Sequence, residues 1–161
     1  MASRQQLIAT LTAGAVSAAG LSLIAKHEGW VNQTYADPAN GWAVPTVCVG
    51  HTTTAKRGEW KSDAQCLALL QQDARVAYRD VQRLLPGPKT QGEVDAYTSF
   101  VFNVGASKVE HSTLRRLFLS GDRASACRQM LRWVYAGGKK LRGLEARRTE
   151  EAALCLRDLP K

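Results

Sequence analysis

At 161 residues, with 45% hydrophobic and 22% charged side chains, the chain fits one globular domain and excludes a disordered or fibrous polymer. Lys and Arg total 22 against 14 Asp and Glu, a net charge of +8, so partners drawn by the general field are anionic: nucleic acid, acidic lipid or a carboxylate-bearing polymer. No two of the four cysteines (Cys48, Cys66, Cys127, Cys155) have C-x-x-C spacing, which argues against a zinc ribbon or a thioredoxin-like site and leaves two disulfides or four reduced core thiols.

Gln6 to Ala25 is free of charge and, as one helix, would be about 30 Å long, the thickness of a bilayer's hydrocarbon core. Its apolarity is weak: from Leu7 to Ala25 there are six Ala, two Gly, two Ser and two Thr against seven Leu, Ile or Val. Three readings follow. One is a signal peptide cleaved at small residues such as Ala13-Gly14-Ala15. Another is a soluble core helix, since Leu21, Ile24, Ala25 and Glu28 share one face. The favoured reading is a reversible anchor that later becomes a core helix, with Arg4 biasing the N-terminus to the cytoplasmic side.

Turn residues alternating with apolar ones from Tyr35 to Thr54 predict a hairpin or small sheet. A capping box at Ser62 to Gln65 opens a helix to about Leu85, with Cys66, Leu70, Ala77, Val81 and Leu84 on its inner stripe. A second box, Thr90 to Glu93, leads into the apolar run Ala96 to Val104, a central buried helix ending at Gly105. Further helices are predicted over Ser112 to Ser120, Arg123 to Val134 and about Leu144 to Leu159, with Cys127 and Cys155 on inward faces.

The residues suited to chemistry cluster early: His27-Glu28-Gly29, Tyr35-Ala-Asp37, and Thr46-Val-Cys-Val-Gly50-His51-Thr52. One carboxyl sits at a helix end and the other in the following hairpin. A glycosidic bond is cut by a protonated carboxyl that hands a proton to the leaving oxygen and a second group that directs water or attacks from the other side. Glu28, flanked by an apolar helix, is expected to be desolvated and hence a proton donor; Asp37, among turn residues, is expected to be ionised. His51 is open to a structural ion pair or hydrogen bond, the favoured reading, or to catalysis. The three dispersed histidines support no metal site. Lys139-Lys140, Arg142 and Arg147-Arg148 lack a groove-reading motif, so nucleic acid is not the expected partner; they are expected to meet acidic groups of a substrate or to face solvent.

This ordered pattern, continued by Ser99-Phe-Val-Phe-Asn-Val-Gly105, Ser112-Thr113-Leu114, Arg132-Trp133, Gly137-Gly138, Gly143-Leu144 and Arg147-Arg148, resembles the phage-type lysozymes, glycoside hydrolase family 24, over about residues 21 to 158. The resemblance implies an α+β, mainly α, lysozyme-like fold with a small β-hairpin lobe and a helical lobe. By it, Glu28 is the general acid, Asp37 and Thr46 place and activate the attacking water, and Gly50, Phe102 and Asn103 line the saccharide cleft. The Asp37 to Thr46 interval departs from the shortest family members by being longer, through Pro38-Ala-Asn and Ala43-Val-Pro.

The weak amino-terminal span is similar to that of the signal-arrest-release endolysins within this family. That likeness implies export by the Sec machinery, an uncleaved anchor in the host inner membrane with the chain on the periplasmic side, and later release into the periplasm. Residues 1–26 would then be the anchor segment, partly reused as the first helix, and 27–161 the catalytic domain. The implied substrate is the β-1,4 bond between N-acetylmuramic acid and N-acetylglucosamine of peptidoglycan, cut by a monomer without cofactor. A lytic transglycosylase and a non-catalytic, membrane-tethered wall-binding module are the alternatives. In an exported chain the expected disulfides are Cys48–Cys66 and Cys127–Cys155, because each pair joins neighbouring elements.

Overall fold

The computed structural model describes residues 3–9 and 15–161. Its elements, in chain order, are helices α1 (Arg4–Ala9) and α2 (Ala18–Glu28), strands β1 (Val31–Asp37) and β2 (Gly41–Cys48), helices α3 (Asp63–Leu84), α4 (Gln91–Val104), α5 (Ala106–Glu110), α6 (Thr113–Leu119) and α7 (Arg123–Gln129), strands β3 (Tyr135–Ala136) and β4 (Lys139–Lys140), and helix α8 (Arg142–Arg157).

Both capping boxes are formed: the Ser62 and Thr90 hydroxyls accept from the backbone of Gln65 and Glu93, whose side chains return to the cap residues. α4 is buried along most of its length and packs against α2, α3 and α8. Around it lie two apolar cores. One joins α4 to the end of α3 and to α5–α8 through Tyr97, Phe100, Leu114, Phe118 and Met130; the other joins α1, α2 and the first half of α3 through Ile8, Leu21, Ile24, Leu67, Leu70 and Val94. Leu21 and Ile24, fully buried, each contribute roughly 1.5–3 kcal/mol by leaving water.

The amino-terminal run is not one span in this fold. Among the described residues no helix is long and apolar enough to cross a membrane. α2 begins at Ala18 because Ser17 caps it: the Ser17 hydroxyl accepts from Ala19 N, while its own N–H and O–H donate to Asp95 of α4 at 2.8 and 2.5 Å. Ala13 and Gly14 of the small-residue cleavage motif lie outside the described residues.

The hairpin starts earlier than Tyr35 and ends at Cys48, with Tyr35 opposite Thr46, Ala36 opposite Pro45 and Asp37 opposite Gly41. The register shifts at Asp37, so the longer turn is absorbed as a bulge. The helix expected to reach Val134 stops at Gln129 and passes through a 3₁₀ turn, Met130–Arg132. The Trp133 carbonyl there accepts from Arg148 Nε, and Leu141 N–H donates to the Val134 carbonyl, which draws the chain into the β3–β4 hairpin over Gly137-Gly138. Cys48 is bonded to Cys66 and Cys127 to Cys155, tying β2 to α3 and α7 to α8.

Candidate active site

α2 ends at Gly29, whose N–H closes on the Ala25 carbonyl, and this delivers Glu28 to the junction with β1. The Glu28 carboxyl is partly buried, as its place after an apolar helix leads one to expect, but it also meets a charge that the sequence did not announce. Arg147 of α8 donates Nη1 to Glu28 Oε1 at 2.6 Å, and the two side chains keep 3% and 21% of their surfaces, so the carboxyl is reachable while the guanidinium is not. The other oxygen, Oε2, faces Gly50: an ideal Cβ built there would stand 3.3 Å from it. Gly50 also has φ +72°, the left-handed region. It therefore acts first by leaving Glu28 uncovered.

Asp37 Oδ1 accepts from Asn40 N at 2.7 Å, Ala39 N at 3.0 Å and Asn40 Nδ2 at 2.9 Å, while Oδ2 carries none of these bonds. The Asn40 N–H above all, with that of Ala39, holds the carboxyl below the usual aspartate range, in line with the expected ionised state. Thr46 is buried, and its hydroxyl donates to the Val44 carbonyl at 3.3 Å. Across the strands from it stands Tyr35, whose phenol is raised by burial first and then by the charges of Glu28 and Asp37. Tyr35 thus lies within reach of the charge of both carboxyls, a placement that nothing in the sequence marked.

Phe102 is partly buried and packs against both cores. Asn103 is exposed, and its Oδ1 accepts from Arg148 Nη2. His51 is structural: Nδ1 pairs with Asp73 Oδ2 at 2.7 Å and Nε2 with Thr54 Oγ1 at 2.8 Å, in a fully enclosed ring. The expectation that Arg147 and Arg148 meet substrate or solvent is corrected. Both are buried, because Glu28, Glu151 and the Trp133 and Ser99 carbonyls take their donors. A guanidinium is lodged inside only where such partners are supplied. Nothing in local sequence marks that pairing, although Arg147 and Glu151 stand four residues apart on one face of α8, a readable ion-pair spacing.

Among the described residues no group of three His, Cys, Asp or Glu could hold a metal ion. The arrangement offers a carboxyl held through one oxygen by Arg147, with the other beside Gly50, and on the following hairpin a carboxylate held by backbone N–H groups and, on the partner strand, a buried hydroxyl. Such a set can protonate a leaving oxygen and polarise a water.

The Phage lysozyme family model matches residues 25–151. The SAR-endolysin of Bacteriophage PS119 is 34% identical over 156 residues, 95% of this chain and 93% of the relative. Among solved structures, the active form of P1 phage endolysin Lyz is similar with a TM-score of 0.83 at 27% identity, over 91% of this chain and 88% of that one. The muramidase domain of SpmX from Asticaccaulis excentricus is similar with a TM-score of 0.80 at 30% identity, over 88% and 97% of the two chains.

Proposed function

We infer the reaction from the premise that this chain belongs to the phage lysozyme family: it is a glycoside hydrolase, an endolysin that cleaves peptidoglycan. The bond cut is the β-1,4 link between N-acetylmuramic acid and N-acetylglucosamine. Glu28 gives its proton to the glycosidic oxygen, the C1–O bond breaks with its electron pair going to that oxygen, and a water held by Asp37 and Thr46 adds to C1 and loses its proton toward Asp37. Gly50, Phe102 and Asn103 border the cleft. The observation that carries this reading is the asymmetry of Glu28, whose Oε1 is tied to Arg147 while Oε2 is left uncovered at Gly50.

The test is analysis of sugar ends released from purified peptidoglycan by the parent and by Glu28→Gln. Hydrolysis yields reducing ends, and a folded Glu28→Gln variant yields none, since an amide has no acidic proton to give. Anhydro ends would establish the transglycosylase instead. A carboxylate at Asp37 held ionised by the Asn40 and Ala39 N–H groups favours water as the nucleophile over the sugar's own hydroxyl.

Residues 1–26 serve, on this reading, as a signal-arrest-release segment. It enters the inner membrane through the Sec machinery with the N-terminus in the cytoplasm, and on release it refolds as α1 and α2 of a soluble periplasmic monomer. The weak apolarity of Leu7 to Ala25 and the SAR-endolysin relatives support it. Ala18 to Ala25, the apolar part of α2 within that segment, would be lipid-facing in one state and, through Leu21 and Ile24, core-forming in the other.

A further inference from the structure

Arg147 and Arg148 enter the interior side by side on α8, and the buried carboxylate of Glu151 lies between them. Arg147 Nε donates to Glu151 Oε1 at 2.9 Å, Arg148 Nη1 to Oε2 at 2.6 Å, and Ser99 Oγ to Oε1 at 2.7 Å. Arg147 Nη2 donates to the Ser99 carbonyl at 3.1 Å, which leaves Nη1 to reach Glu28. Arg148 is fixed in turn by the Trp133 carbonyl at 3.0 Å, by Asn103 Oδ1, and by the Phe100 ring 4.8 Å below its guanidinium.

The charges of this cluster bear on the proton that Glu28 must hold. Two arginines and Glu151 sum to +1, so the cluster is neutral when Glu28 is ionised and +1 when it is protonated. Remove Glu151 and those values become +1 and +2. A carboxyl facing an unbalanced guanidinium pair gives up its proton at lower pH, before a substrate oxygen is there to take it. Balanced, the same Arg147 N–H points at the charge that develops on Glu28 as the proton leaves, without ordering water around it.

We propose that Glu151 is a positioning residue for the reaction: it clamps the Arg147 fork against Glu28 and cancels enough positive charge for Glu28 to keep its proton until the glycosidic oxygen accepts it. The inference rests on the reading of Glu28 as the general acid. Other charged or titratable groups near Glu28 do not replace Glu151. Tyr35 on β1 lies within reach of the charge of Glu28 and of that of Asp37; on the helix of Glu28, Lys26 pairs with Glu150 of α8, and His27 Nε2 stands 3.5 Å from the same carboxylate; α4 offers the neutral Ser99 here, its Asp95 lying at the far end of α2. Burial lowers the His27 ring below its ordinary range, which keeps it neutral at neutral pH. Besides Glu28 itself, Glu151 is the carboxylate that Arg147 touches among the described residues.

The experiment is the pH dependence of kcat/KM on purified peptidoglycan for the parent, Glu151→Gln and Arg148→Gln, each checked for folding by near-UV circular dichroism. Glu151→Gln removes a negative charge, so the alkaline limb should move to lower pH by roughly one unit. Arg148→Gln removes a positive charge, so the limb should move to higher pH. A purely structural role would lower the rate at every pH and leave the limb in place, and that result overturns the proposal. If Glu151→Gln does not fold, Arg148→Gln decides alone, with an unmoved limb again the overturning result. A folded Glu28→Gln variant that still cleaves overturns the acid assignment itself; a silent Glu28→Gln with unmoved limbs overturns only the role of Glu151.

Discussion

A Cβ at position 50 would stand 3.3 Å from Glu28 Oε2, so the glycine is what keeps the second oxygen of that carboxyl uncovered. Gly50→Ala is accordingly expected to act twice. The left-handed backbone there costs an alanine roughly 1–2 kcal/mol, and the methyl group crowds the oxygen that would hold the proton. We expect a modest fall in Tm and a fall in kcat of tenfold or more, read from cleavage of purified wall. A variant that loses Tm but keeps kcat would show that the 3.3 Å approach is irrelevant to the reaction.

The hydrogen bonds on Asp37 set an acid limit. Its folded-state carboxyl lies below the ordinary aspartate range, chiefly through the Asn40 N–H, so it stays ionised as the pH falls past 3.8, the ordinary value. Linkage has the same sign: the group favours folding above the unfolded value and loses that contribution as the pH drops through the lower folded one. The acid limb of kcat/KM should therefore lie below 3.8 in protein shown to be folded by fluorescence. Asn40→Ala, which removes one of the three bonds, should move that limb upward. An acid limb well above 4 in folded protein would exclude Asp37 as its cause.

The two disulfides should be separable by what they hold. Cys48–Cys66 joins the end of β2 to the start of α3, and Cys127–Cys155 joins α7 to the helix that carries Arg147, Arg148 and Glu151. With sequence separations of 18 and 28, each contributes roughly 3 kcal/mol in the chain-entropy account. Replacing either pair by serines should lower Tm by several degrees. Loss of Cys48–Cys66 should loosen the Asp37 hairpin and cost activity before the helical lobe melts. Peptide mapping without reductant checks the pairing; Cys66 linked to Cys127 would refute it.

How far this site could be read from the sequence follows from the range of the interactions that build it. Ser62 with Gln65 and Thr90 with Glu93 are three-residue signals, and the helices they open lie where the spacing put them. Glu28 and Asp37 could be singled out because they stand nine positions apart and the family pattern is local. The Arg147 partner of Glu28 is 119 residues away, and a doubled arginine looks the same in sequence whether it is solvated or buried. Leu131 and Val134 continued the apolar period of α7, yet the helix stops at Gln129 and passes through a 3₁₀ turn to a Trp133 carbonyl that accepts from Arg148, a partner fifteen positions away. The Asp95 bonds to Ser17, which cap α2 at its start, are likewise long-range, the partners standing 78 positions apart.

That Asp95 junction shapes the test of the release segment. An ideal Cβ at Gly20 would fall 2.8 Å from Asp95 Oδ1 and 2.9 Å from Val16, so leucine at Gly20 would both favour insertion and block the soluble packing. Silence of that variant would say nothing about the membrane. Ala19 and Ser22 are better positions: they border a groove of about 610 Å³ on the other side of α2, with Ile8, Leu23 and Trp30, where longer side chains have room. A leucine favours insertion by about 0.5 kcal/mol at the bilayer centre and by less toward the end of the span where these two positions lie, so the pair biases a weak span. While residues 6–25 are in a bilayer, Glu28 stands within about 5 Å of its edge and cannot meet Arg147, because a helix rises only 1.5 Å per residue. The double variant Ala19→Leu, Ser22→Leu should therefore remain in the membrane fraction with little wall cleavage. The same protein, extracted and refolded, should cleave as the parent does, since the groove that Ala19 and Ser22 line does not include Glu28, Asp37 or Arg147. Two packings of one segment would then be the switch. Membrane-bound variant that cleaves wall at the parental rate would reduce the segment to an export signal.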